Sequence, residues 1–316
     1  MSIVSRTCFP LLLLVLFTFP ARGEDQSFPA ATDLATAADL ITDGINNPAD
    51  IIEFRGRFVV TELLANRLAI FDYPGFKGVE YFDPESIGQS FQSPHFMAES
   101  PSGGLLISNG WGSSIVLIDD LEGAGWTSFS GKGKEFNAPH GICVDGDGWI
   151  YVGDSLNSRL VRFRNMQGDG WQVFQDLDRR IAYIRKLACR EDGVWISNSY
   201  EDRPGLNPGS GANILRVADF GSGRVEELHM IADSNITGIL PLGTDRSLVG
   251  VWGKQARIGV IDFIRKDLSL VPRIRDGLGI PYGFWLDESN DILFVAHTGA
   301  ITPGDDRTGA IAVHQR

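Results

Sequence analysis

Cysteine is scarce, with three in 316 residues, and no apolar run reaches the about 20 residues that a membrane-crossing helix needs. Basic residues are outnumbered, 28 Lys and Arg against 40 Asp and Glu, and they form no cluster, which excludes a phosphate-backbone partner. There is no Gly-x-Ser-x-Gly elbow, no Walker loop, no His-Glu-x-x-His helix, and no helical stretch of useful length. Nucleophile-elbow hydrolysis, P-loop phosphoryl transfer and helical zinc proteolysis are therefore set aside. What the chain does have is glycine, 37 residues of it, spread along its whole length.

The first 23 residues read as a signal for export. Arg6 precedes a short apolar stretch from Phe9 to Phe19, and small residues at Ala21 and Gly23 mark a cleavage site. The expected organisation is a cleaved signal at 1–23, a flexible segment at 24–37 and one domain at 38–316. Loss of Arg6 and Arg22 takes the formal charge from −12 to −14, and Cys8 leaves with the signal. The mature protein is expected to be secreted or periplasmic, monomeric and not inserted in a membrane. Cys143 and Cys189 lie one residue out of register in neighbouring units, so they are expected to leave opposite strand faces and to stay as buried free thiols.

A repeat organises the rest. Phe136–Phe163 is a pair of alternating apolar strands around an Asp147-Gly148 turn, then a third strand after a polar loop. The same outline starts again at Pro48, Pro94, Pro139, Ile184, Ile236 and Pro281, at intervals of 46, 45, 45, 52 and 45 residues. Fourth strands close units two and three at 123–130 and 168–175. Four strands per roughly 40–50 residues is the period of a β-propeller blade, so an all-β, six-bladed propeller is expected. The last unit has three strands, and the segment Asp39–Gly44 has the pattern of the missing fourth. It is expected to complete the last blade and so remove an open edge. Trp126 and Trp171 recur in the fourth strands as packing between blades. His229 and His314 fall on outer strands with no role.

Unit three resembles an NHL repeat through Pro139-His140-Gly141-Ile142-Cys143-Val144-Asp145, Asp147-Gly148 and Asp154-x-x-Asn157-x-Arg159. The match is fuller there than in units one and two, and weakest in four to six. The resemblance implies a relationship to secreted bacterial-type NHL propellers, and more distantly to peptidyl-hydroxyglycine amidating lyases and to gluconolactonase and paraoxonase propellers. Propellers host many activities, so the fold alone selects none.

In such a ring the inner strand of each blade starts, and the second strand ends, at one mouth of the channel. The first set of mouth positions is Ala49, His95, His140, Arg185, Thr237 and Tyr282. The second is Glu62, Asn109, Asp154, Asn198, the Trp252–Lys254 region and His297. Loops Tyr200–Ala212 and Thr298–Ala310 rise beside them as candidate lids. His95 and His140, each following a proline, are candidate ligands for a divalent metal such as Zn²⁺, with His297 as a third. The similarity to amidating lyases, whose zinc histidines follow prolines, supports this pair, although those histidines come from alternate blades. Glu62, Asn109, Asp154 and Asn198 are a second candidate set, for Ca²⁺, as in gluconolactonase-like propellers. The alternative for Asp154 is local hydrogen bonding to its own loop. Arg185 is a candidate anion holder and Tyr282 a candidate acid/base. The expected function is hydrolase or lyase chemistry on a small organic substrate or peptide; the rival is a non-catalytic propeller presenting its top face to a protein, peptide or glycan.

Overall fold

Each unit alternates apolar and polar residues over short runs bounded by turns, so each folds as hairpins with both faces covered by neighbouring units. The computed structural model describes Leu34 and residues 39–133, 135–199, 211–232, 234–252, 256–272, 277–299 and 309–315. These residues form six antiparallel sheets of four strands, and helix among them is limited to short 3-10 turns such as Pro84–Ile87 and Ser155–Asn157. The inner strands of blades 1 to 6 are Pro48–Phe54, Pro94–Glu99, Pro139–Val144, Tyr183–Arg190, Asn235–Leu242 and Ile280–Asp287. The expected six-bladed propeller is therefore the fold. The signal segment and most of both candidate lid loops lie outside the described residues.

The ring closes as expected. Asp39–Ile41 pairs antiparallel with Ala310–Gln315, Leu40 opposite Ala312, and supplies the outer strand of blade 6. Its neighbours in that blade all come from the other end of the chain. Blades 6 and 1 then pack through Phe58, Phe71 and Phe294, with the Phe58 and Phe294 rings 4.3 Å apart. Equivalent apolar clusters fill the other five blade interfaces, so the core is a ring of six wedges. Trp126 packs with Phe82 and Phe91, and Trp171 stacks on Phe163 within such wedges. Buried hydroxyls also reach across: Thr61 donates to the His95 carbonyl, Thr237 to that of Pro281 and Thr298 to that of Pro48, each at 2.5 Å.

Cys143 and Cys189 are joined by a disulfide, S–S 2.08 Å with Cα atoms 5.6 Å apart, which corrects the expectation of two free thiols. Face parity along single strands does not decide which side chains meet between two blades. Adjacent blades stack with unlike faces together, so a side chain on the leading face of blade 3 meets one on the trailing face of blade 4. The one-residue offset is what brings the two sulfurs together. The bridge ties inner strands 46 residues apart in sequence. Cys143→Ala/Cys189→Ala is expected to lower the unfolding free energy by about 2–3 kcal/mol. A urea midpoint unchanged from wild type would contradict this.

Candidate functional site

In all six inner strands the ladder slips by one residue just after the start: between Pro48 and Asp50, Pro94 and Met97, Pro139 and Ile142, Ile184 and Lys186, Ile236 and Ile239, and Pro281 and Gly283. Such a bulge sets two residues against one on the partner strand and re-aims their side chains. The residue after Pro48, Pro94, Pro139, Ile184, Ile236 or Pro281 stands at the channel mouth, and the next one lies a step deeper. The backbones approach closely at the deeper level. At Gly238 a Cβ would lie 2.0 Å from the Tyr282 carbonyl, so only glycine fits.

At the mouth, the rings of His95 and His140 stack with centroids 3.8 Å apart and planes 27° from parallel. The Tyr183 ring meets His140 edge-on at 5.2 Å, with its hydroxyl 3.4 Å from Nε2. The Arg185 guanidinium lies 4.5 Å from the Tyr183 ring and 5.9 Å from that of Trp252, and its Nη1 is 3.5 Å from the Tyr282 hydroxyl. Tyr282 in turn stacks on Phe96 at 5.5 Å. All four predicted residues, His95, His140, Arg185 and Tyr282, are buried and share one site.

The electrostatics follow from that burial. Desolvation, with Arg185 nearby, lowers His95 to about 3 against the pull of its bond to Ser93. Burial, then His95 and Arg185, hold His140 well below the ordinary imidazole range. Both rings are neutral at pH 7, which permits their stacking. His95 Nδ1 is 2.7 Å from the Ser93 carbonyl, which can only accept, so Nδ1 carries the proton and Nε2 the lone pair.

This arrangement does not fit a shared zinc ion. A metal must lie in the plane of each imidazole about 2.0–2.1 Å from its nitrogen. Two planes 3.8 Å apart and tilted by 27° meet far beyond that reach. His297 does not join them: it sits at the end of the second strand of blade 6, opposite Pro281, where Nδ1 donates to the Gly279 carbonyl at 3.2 Å. Burial lowers His297 to about 4. Among the described residues no group of three or more His, Cys, Asp or Glu side chains could hold a metal ion.

The second candidate set serves the blades. In each case the side chain at the end of the second strand accepts the backbone N–H three residues before the first-set mouth position of its blade. Glu62 takes that of Asn46, Asn109 that of Gln92 at 2.6 Å, Asp154 that of Asn137 at 2.7 Å and Asn198 that of Ala182 at 2.8 Å. Remaining oxygens and amides are engaged as well. Asp154 holds Asn157 and Arg159 at 2.8 and 2.5 Å, and Glu62 holds Arg67 at 2.6 Å. These four side chains latch the incoming loop of their own blade and spend their acceptor oxygens there, so the calcium arrangement does not fit them either. In unit three the Asp154-x-x-Asn157-x-Arg159 pattern was the sequence signal of that latch.

Three residues of the channel were not singled out from sequence. Tyr183 precedes the alternating run, and Asp50 and Lys186 look like ordinary strand charges. In the structure Lys186 reaches from blade 4 to blade 1, across the channel, and its Nζ lies 3.0 and 2.9 Å from the two Asp50 oxygens. Asp50 also accepts the Met97 N–H at 2.9 Å, and Lys186 passes over the Phe96 ring at 4.2 Å. Burial raises Asp50 above the usual carboxylate range while Lys186 draws it down. The pair forms a floor beneath the mouth.

Residues 136–163 match the NHL repeat family. Comparison with curated proteins gives no match. Solved structures with the same ring include XC5397 from Xanthomonas campestris, described as a gluconolactonase, at TM-score 0.62 and 15% identity over 88% of this chain and 91% of that one. They also include virginiamycin B lyase from Staphylococcus aureus, at 0.59 and 13% over 88% and 98%. A PQQ-bound aldose sugar dehydrogenase from Streptomyces coelicolor aligns at 0.59 and 12% over 88% and 97%. Identities this low establish shared architecture and no shared chemistry. The chain is a six-bladed β-propeller whose third blade matches the NHL repeat.

Proposed function

We propose that the channel mouth is the active site of a small-molecule hydrolase or lyase acting on a substrate with a carboxylate or a polarised carbonyl. The observation that carries this is Arg185, a buried guanidinium beside the Tyr282 hydroxyl and enclosed by aromatic rings and two neutral imidazoles. Its fork would grip the substrate oxygen and stabilise charge developing there. Tyr282 would donate to the same oxygen, and His95 Nε2 would accept a proton. Burial and the Arg185 charge keep the free imidazoles weakly basic; an anion bound to Arg185 cancels part of that charge and raises their basicity. No step runs through a metal. The low basicity of the free histidines favours a second reading, a site that binds without turnover.

The disulfide supports export, because such bonds persist in oxidising compartments. A secreted or periplasmic monomer is the proposed working form.

The test uses D-glucono-1,5-lactone and quinupristin, the latter bound in a related lyase structure, with a panel of small carboxylates. Thermal stabilisation and product are read together. At least one compound is expected to stabilise the protein and be converted, without loss of activity in EDTA. Arg185→Met should weaken its binding about 100-fold, a loss of roughly 2–3 kcal/mol expected of a charged hydrogen bond. Tyr282→Phe should cut turnover at least tenfold with little change in binding. Binding without product would select the second reading. Ligand binding indifferent to Arg185→Met would remove both.

A further inference from the structure

A second site lies on the same face as the mouth, beside blade 2. Its centre is the turn joining Asn109 to Ser114, which carries Trp111 at 62% exposure. An indole left in water forfeits the burial that usually justifies so large a side chain. The turn is nevertheless built to hold it there. The Trp111 and Gly112 N–H groups both donate to the Gln92 carbonyl, at 3.0 and 3.3 Å, and Gly110 donates to Ser93 at 3.0 Å. Asn109 braces the turn from beneath, accepting the Gln92 N–H and donating to Ser114. At Gly112 a Cβ would stand 2.1 Å from the Asn109 amide, so the turn tolerates no side chain there.

Next to the indole is a groove of about 290 Å³, walled by the exposed polar side chains of Gln89, Ser90, Gln92 and Ser128, with Trp126 at its base. No charged residue lines it. That composition excludes an anion, a cation and a nucleotide as the preferred occupant. The volume is at the small end of ligand sites, about 300 Å³, too little for an extended peptide. An exposed aromatic face on a hydrogen-bonded turn, beside amides and hydroxyls each able to donate and accept, matches a ring with an apolar C–H face and hydroxyls at its rim. We propose that this groove is a subsite for one or two residues of a neutral sugar chain. Because the turn is already held in place, binding costs little ordering.

This inference stands apart from the reading of the channel mouth. Wild-type protein is screened on an array of neutral oligosaccharides, then titrated with hexasaccharides of β-1,4-glucose, α-1,4-glucose, β-1,4-xylose and N-acetylglucosamine while tryptophan fluorescence is followed. At least one sugar is expected to bind saturably. Trp111→Ala should weaken it at least tenfold, Trp111→Phe by less, and Gln89→Ala severalfold, all at unchanged thermal midpoint. Compounds held through Arg185 should bind the Trp111→Ala protein as they bind wild type. The proposal is overturned if no neutral sugar binds at millimolar concentration, or if Trp111→Ala binds the sugar as well as wild type does.

Discussion

Asp50→Ala is expected to cost about 3–5 kcal/mol of unfolding free energy, the loss typical of breaking a buried ion pair from one side. The variant strands the Lys186 ammonium, whose side chain is only 12% exposed, and leaves the Met97 N–H without its acceptor. Blades 1 and 4 face each other across the ring, so the loss would be felt by the closed structure and not by one blade. Lys186→Met is expected to cost less, because Asp50 can take up a proton and burial already favours its neutral form. The double variant Asp50→Leu/Lys186→Met should recover most of the stability, since a well-packed apolar pair is often as stable as a buried ionic one. Guanidinium unfolding of the four proteins separates these outcomes. An Asp50→Ala midpoint equal to wild type would show that water reaches the pair and that the channel has no such floor.

Stability should also fall steeply in mild acid. His95, His140 and His297 are held below the about 6.5 of an unfolded-state imidazole, His95 to about 3 and His297 to about 4. Below that value the unfolded chain binds protons that the folded chain refuses, so stability present above pH 6.5 is lost as pH falls. His95 and His297 each contribute about 2 kcal/mol of loss by pH 5, with an uptake approaching one proton apiece on unfolding, and His140 adds to both in the same direction. Asp50 and Glu62 act in the opposite direction, because burial raises both and the folded state keeps their protons more readily. Their offset falls toward the lower end of the window. Urea unfolding at several pH values between 7.5 and 5 gives the slope directly. His95→Asn/His140→Gln should reduce it by up to two protons, and a wild-type slope near zero would show that the rings are not sealed from water.

The blades were legible because their signals are local: a proline or equivalent at the start, a tight turn, and alternation over five to seven residues. The spare strand at Asp39 was legible for the same reason, once the last unit was seen to lack one. Residues at the mouth followed from strand phase, so His95, His140, Arg185 and Tyr282 were found together. What phase could not supply was the relation between side chains on different blades. The stacking of two imidazoles, which unfits them for one ion, depends on ring orientation. The Asp50–Lys186 contact joins residues 136 apart and relies on a bulge in each strand. Cys143 and Cys189 were misread by comparing faces within a strand, when the disulfide depends on which faces of two blades meet. Trp111 left no periodic trace, since its meaning lies in its exposure.

The seal of blade 6 sets an order of events during synthesis. Among the described strands its outer strand, Asp39–Ile41, leaves the ribosome first, and its partner, Ala310–Gln315, leaves last. Five blades can form sheets from contiguous sequence, whereas the sixth waits for residues more than 250 positions apart to meet. Until then the Phe58 face of blade 1 has no Phe294 to cover it, and the nascent arc exposes two apolar ends. Closure hides both ends in one event, which makes the three-residue pairing at Leu40 the step that turns an aggregation-prone arc into a finished ring.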